Sequence, residues 1–113
     1  MKLINKPWGK EEILETNENY TVKRLTMNNG NQCSYQYHKK KLETILVLEG
    51  ELTIILEGKE KSYFPGQTIT IQPLQQHRMA ARKGKVLYLE CSTSELEDVV
   101  RIKDDYNREV KAK

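Results

Sequence analysis

The chain has 113 residues, 37% hydrophobic and 31% charged, which is the make-up of one folded domain with a single modest core and excludes a compositionally disordered polymer. No apolar run approaches the ~20 residues that span a bilayer, and Pro7 interrupts the start before a leader-like stretch develops, so the expectation is a cytoplasmic protein with no membrane partner. The net charge of +3 (19 Lys and Arg against 16 Asp and Glu) is scattered apart from Lys39, Lys40, Lys41 and a Lys-containing end, which argues against nucleic acid as a partner and suits an anionic small substrate.

In chain order the sequence reads as short strands broken by turns. Trp8, after Pro7, is expected to anchor an N-terminal strand by packing. Residues 20–25 alternate polar and apolar, and Asn28-Asn29-Gly30 ends that strand. On a strand over 34–38, Ser34, Gln36 and His38 share one face and Tyr35 and Tyr37 the other. Residues 44–48 are apolar and β-branched, and Glu49-Gly50-Glu51 turns them into 52–56. Glu57-Gly58-Lys59 turns again into 61–64, and Pro65-Gly66 leads to the alternating stretch 67–71. His77 follows the loop Pro73-Leu74-Gln75-Gln76 and opens another strand, and a polar turn over 82–85 precedes the strand 86–91. Residues 94–98 have the composition to cap one helical turn, and 109–113 that of a fraying tail. Strands at eight-to-twelve-residue spacing with Gly and Pro between them predict an all-β sandwich or barrel, one domain over residues 1–113.

Cys33 and Cys91 lack a CxxC spacing and read as two reduced, half-buried thiols. The only two histidines, His38 and His77, fall on different strands. With Gln36 and Glu43 they would offer two imidazoles, a carboxylate and an amide oxygen. Mixed nitrogen and oxygen donors suit one divalent ion such as Zn, Mn, Fe, Co or Ni, and the absence of thiolate argues against a closed structural zinc site. From the residues alone, each histidine also fits an ordinary packed or surface role. Glu90 lies on a core strand, where a buried acid with a raised pKa can serve as a base; a strand-end charge facing water is the other reading.

Two spacings resemble those of the cupin family. The first cupin motif, G-x5-H-x-H-x(3,4)-E-x6-G, is matched by Gly30, Gln36, His38, Glu43 and Gly50, with Gln in place of the first His. The second, G-x5-P-x-G-x2-H-x3-N, is matched at Gly66 and His77, with Gln72, Leu74 and Ala81 at its other positions. Lys6-Pro7-Trp8-Gly9, Val22-Lys23-Arg24, Ser34-Tyr35-Gln36-Tyr37-His38, His77-Arg78, Glu97-Asp98-Val99-Val100-Arg101 and Asp104-Asp105-Tyr106-Asn107-Arg108 resemble type II mannose-6-phosphate isomerase. There the cupin is commonly the C-terminal domain of a bifunctional enzyme whose larger part is a mannose-1-phosphate guanylyltransferase; this chain carries no Gly-rich nucleotide loop.

The resemblance implies a double-stranded β-helix, or jelly-roll barrel, with one divalent metal near its open end. It also implies Gln36, His38, Glu43 and His77 as metal ligands, a sugar phosphate as the small-molecule partner, and a homodimer. The expected reaction is interconversion of mannose 6-phosphate and fructose 6-phosphate. Lys41 stands where the family has arginine, and Thr44-Ile45 where it has His-Trp. Lys41 is the first candidate for charge stabilisation or proton handling, with Glu90 the candidate base. Arg24, Arg78, Arg101 and Arg108 are candidates for the phosphate, Arg108 foremost by its match to the family's terminal Tyr-x-Arg. A metal-dependent oxygenase and a non-catalytic sugar-binding cupin remain the alternatives.

Overall fold

The computed structural model describes residues 2–95, 97–106 and 108, and every regular element among them is a strand. The first six are β1 (Lys2–Lys6), β2 (Gly9–Thr16), β3 (Thr21–Met27), β4 (Tyr35–Tyr37), β5 (Glu43–Glu49) and β6 (Leu52–Leu56). The rest are β7 (Lys59–Tyr63), β8 (Thr68–Ile71), β9 (His77–Ala80), β10 (Val86–Ser92) and β11 (Val100–Lys103). They form two antiparallel sheets, ordered β1-β2-β3-β10-β5-β8 and β11-β4-β9-β6-β7. From β3 onward the chain changes sheet at each step except the β6–β7 hairpin, which is the winding of a double-stranded β-helix. No helix among the described residues is long and apolar enough to cross a membrane.

The hairpin shows how local sequence sets this path. Glu57 (φ 49°) and Gly58 (φ 80°) form a two-residue turn with both centres left-handed, the geometry whose twist matches that of the flanking strands. At Gly9 a Cβ would lie 1.9 Å from the Thr26 carbonyl oxygen, so only glycine lets β2 start tight against β3 and seat Trp8 in the core.

Alternation on β3, β5 and β10 buries every second residue, and cross-strand register sorts those residues by polarity. Met27 lies opposite Val86, Leu25 opposite Tyr88, and Val47 opposite Tyr88, which makes one end of the interior apolar. Lys23 lies opposite Glu90, and Glu43 opposite Ser92, so the other end is a polar chamber. That chamber holds the candidate site.

An N-terminal strand at Trp8 was expected without bounds; two strands flank that residue, and these and β11 are additions to the ranges read from the sequence. β2 (GKEEILET) looks solvent-borne in sequence, yet Glu11 and Glu12 are buried. Lys23 pairs with Glu11 at 3.2 Å, and Arg24 holds Glu12 through two bonds of 3.0 Å. β1 and β11 are the two outermost strands at one end of each sheet, and both are only partly covered. Other expectations need correction. Residues 94–98 form no helical turn among the described residues, and Asp98 serves a different purpose, given below. Cys33 is buried and Cys91 exposed, so neither thiol is half-buried. The tail over 109–113 lies outside the described residues.

Candidate metal centre

His77 opens β9, Glu43 opens β5, and His38 follows directly on β4. Pairing of β4 with β9 sets His77 opposite Gln36, two residues before His38, and the ligand atoms of the three all lie within 4.8 Å of one another. His38 Nε2 is 3.5 Å from Glu43 Oε1, and His77 Nε2 is 3.5 Å from Glu43 Oε2. None of the three residues is more than 2% exposed.

Both rings are fixed from behind. His38 Nδ1 donates to the Asp98 carbonyl, and His77 Nδ1 donates to the Gln75 carbonyl at 2.9 Å. A carbonyl only accepts, so the proton sits on Nδ1 and each Nε2 presents a lone pair. Two lone pairs therefore face a carboxylate that is itself an acceptor. His38 Nε2 and His77 Nε2 are buried without a hydrogen-bond partner, and Glu43 Oε1 has only the Lys41 ammonium, 3.4 Å away. Buried acceptors turned on one another are costly unless something positive lies between them. Donors about 2.1 Å from one ion stand roughly 3.0–3.4 Å apart at right-angle to tetrahedral geometry, close to the 3.5 Å found here. Backbone carbonyls on the far ring nitrogens are the usual outer partners of metal-bound histidine. The residues present fit a divalent cation.

Their ionisation agrees. Burial, aided by the Lys41 ammonium, pushes His38 down to about 4, so its ring is neutral at neutral pH. Burial works to raise the Glu43 carboxyl, and the Lys41 ammonium 3.4 Å from Oε1 holds it in the ionised form. Lys41 is buried between Glu43 at 3.4 Å and Glu90 at 3.3 Å. Burial opposes its charge, yet Glu90 and Glu43 win and raise it. Glu90 is raised by burial and by Glu43, against the pull of Lys41 and Lys23. Its water-facing reading does not hold: Glu90 is 7% exposed.

A cavity of about 100 Å³ lies against this cluster. Gln36, His38, Lys41, Glu43, Glu90 and Arg108 all lie on its wall, with His77 behind Glu43. The Gln36 amide oxygen accepts the Ser34 hydroxyl at 2.5 Å and retains a second lone pair. Arg101 also reaches the wall; Arg24 and Arg78 do not. Arg24 is spent on Glu12, and Arg78 donates to the Cys33 carbonyl at 2.7 Å. Arg108 gives Nε and one Nη to Asp104 at 2.9 and 2.8 Å, so much of its fork is already engaged. Trp8 packs as expected, and its ring also contributes to the cavity wall.

The family described as "Mannose-6-phosphate isomerase C-terminal" matches residues 2–104. The chain belongs to that family. Among relatives of this mannose-6-phosphate isomerase C-terminal domain is the mannose-1-phosphate guanylyltransferase ManC of Salmonella typhimurium, 34% identical over 110 residues. The match covers 93% of this chain and 23% of that protein, so the chain spans about a quarter of the relative's length. Of solved structures, KdgF from Halomonas sp. is similar with a TM-score of 0.78 at 14% identity, covering 86% of this chain and 89% of that one. An RmlC-like cupin from Shewanella frigidimarina follows with a TM-score of 0.75 at 16% identity, covering 85% and 86%. The fold is the cupin double-stranded β-helix.

Sequence reasoning missed two parts of this domain's site. One is the buried Glu11–Lys23 pair on the cavity wall, hidden because its members look like surface charges. The other is Asp98, whose carboxylate reaches a loop 57 to 59 residues upstream and leaves no local pattern.

Proposed function

We propose that the domain is a metal-dependent sugar-phosphate isomerase acting between mannose 6-phosphate and fructose 6-phosphate. The observation that carries this reading is one cavity wall bearing His38, Glu43 and the buried Glu90–Lys41 pair, with His77 Nε2 3.5 Å from Glu43 behind it. Membership of the family supports the substrate class.

His38, Glu43 and His77, with the Gln36 amide oxygen as a fourth donor, would hold the ion. A divalent ion there supplies Lewis acidity that polarises a substrate carbonyl. The reaction moves one proton from C2 of the aldose to C1 of the ketose, and one from the C2 hydroxyl to the former carbonyl oxygen. Glu90 is the group to carry the carbon-bound proton. Its raised carboxyl is a better proton acceptor than an ordinary carboxylate, and the cavity keeps it from bulk water. Lys41 is placed to offset negative charge growing on the substrate oxygens. Arg101 and Arg108 line the cavity where a phosphate would enter.

The test is a coupled assay of mannose 6-phosphate and fructose 6-phosphate interconversion on metal-replete protein. Turnover that chelator abolishes and that His38→Ala and His77→Ala lack is expected. No turnover with any divalent ion would refute it. One observation favours a second reading, a sugar-phosphate-binding cupin without catalysis: Asp104 occupies two donors of Arg108. Saturable binding of mannose 6-phosphate without turnover would select that reading.

A further inference from the structure

Outside the ligand set, one residue touches the site by two routes. The carboxylate of Asp98 accepts the backbone N–H groups of Lys39 at 3.0 Å, Lys40 at 2.7 Å and Lys41 at 2.9 Å. Three successive N–H groups converging on one carboxylate form an anion-holding nest, and bonds to a charged acceptor are the strong kind. The main-chain carbonyl of the same residue accepts His38 Nδ1. The bonds close a ring through the fold. β4 leads into His38, the loop over 39–41 is held by Asp98, and the chain from Asp98 enters β11. There Val100 pairs with Tyr37 and Arg101 with Gln36, back on β4. Thr93 supports the next residue of the same loop: its N–H donates to the Leu42 carbonyl at 3.0 Å and its hydroxyl accepts the Leu42 N–H at 3.1 Å. Glu43 follows directly.

We infer that Asp98 is a positioning residue of the metal centre, its carboxylate clamping the loop between His38 and Glu43 and its carbonyl selecting the His38 tautomer that turns Nε2 toward the ion. This rests on the metal-binding reading above. The two roles need each other. Without the carboxylate clamp the carbonyl is still present chemically, but only the β11–β4 pairing holds it near the ring. The protonated nitrogen is then free to exchange to Nε2, the atom that must stay bare. Removal of such an outer partner typically weakens metal binding about 10- to 100-fold.

The experiment titrates Mn²⁺ and Zn²⁺ into chelator-stripped full-length wild type, Asp98→Ala and Asp98→Asn by calorimetry. It reads the His38 tautomer by ring ¹⁵N NMR of the metal-free proteins, and records their melting. Asp98→Ala is expected to bind about 10- to 100-fold more weakly, with the His38 signals moving toward a mixture of tautomers. Asp98→Asn, which keeps one acceptor oxygen, should fall between that and wild type. A purely structural residue would lower the melting temperature yet leave affinity and tautomer unchanged, and that result would overturn the inference alone. Wild type that takes up neither metal would overturn the metal reading, and the role of Asp98 with it.

Discussion

Replacing Lys41 with methionine isolates the electrostatics of the polar chamber. Lys41 is 5% exposed and lies 3.4 Å from Glu43 Oε1 and 3.3 Å from Glu90 Oε2. At an effective dielectric constant near 20, each contact is worth about 5 kcal/mol before desolvation is counted. Methionine keeps the length and apolar stem but leaves two buried carboxyl groups with no cation between them. Breaking a buried pair from one side costs about 3–5 kcal/mol. With a urea slope of about 2 kcal/mol/M, the metal-free Lys41→Met protein should unfold at about 1.5–2.5 M less urea than wild type. The single tryptophan, Trp8, is buried on the cavity wall and can report the transition by fluorescence. Adding Glu90→Leu to Lys41→Met removes one stranded carboxyl and should recover about half of the loss. Saturation with a divalent ion should lessen it too, because Glu43 then has another countercharge. A Lys41→Met protein within about 1 kcal/mol of wild type, or a double variant less stable than the single, would refute this account of the chamber.

Acid should weaken the metal-free fold in two steps. His38 titrates at about 4 when folded against 6.5 as a free group, so the unfolded chain takes the proton first. Stability therefore drops as pH falls through that window, by on the order of 3 kcal/mol. Glu43, kept ionised by Lys41, loses its contribution as pH falls further below 4.5. Glu90 runs the other way: its raised carboxyl costs stability as pH rises past 4.5. Urea midpoints from about pH 7.5 down to 4 check the sum, and a midpoint that rises on acidification in Glu90→Gln, which lacks the opposing contribution, would contradict the His38 assignment. A third prediction concerns Leu74, which is 63% exposed and held at φ 73° where the cupin motif has glycine. The left-handed conformation costs a side-chain-bearing residue about 1–2 kcal/mol, and glycine's looser unfolded chain returns about 0.4–1 of that. Leu74→Gly should therefore raise the melting temperature slightly, and a clear fall would show that the leucine side chain contributes packing.

Where apolar or alternating runs sit between glycine turns, the sequence was legible. Leu52–Leu56 sits within the bounds its pattern predicts, and β3, β5, β8 and β10 differ by only a residue or two at their ends. β2 escaped because burial there depends on pairing: Glu11 and Glu12 read as surface until Lys23 and Arg24 are known to lie beside them. The cluster of His38, Glu43 and His77 was readable because motif spacing preserves strand register, so residues distant in sequence carry their positions with them. Phosphate candidates were less readable, since an arginine's type says nothing of which sheet face it occupies. Arg24 and Lys23 are neighbours in sequence, yet only Lys23 faces the cavity. Asp98 falls in the family-like stretch 97–101, but its role could not be read there, because its partners are backbone N–H groups, which every residue in the loop offers equally.

The central claim is that the lone pairs of His38, His77 and Glu43 meet on one cation. Metal content of dialysed protein, measured by mass spectrometry after incubation with a divalent-ion mixture, tests it most directly. One ion per chain in wild type, lost in His77→Ala and in Glu43→Gln, is the predicted result. An ion retained by both variants, or none in wild type, would contradict it.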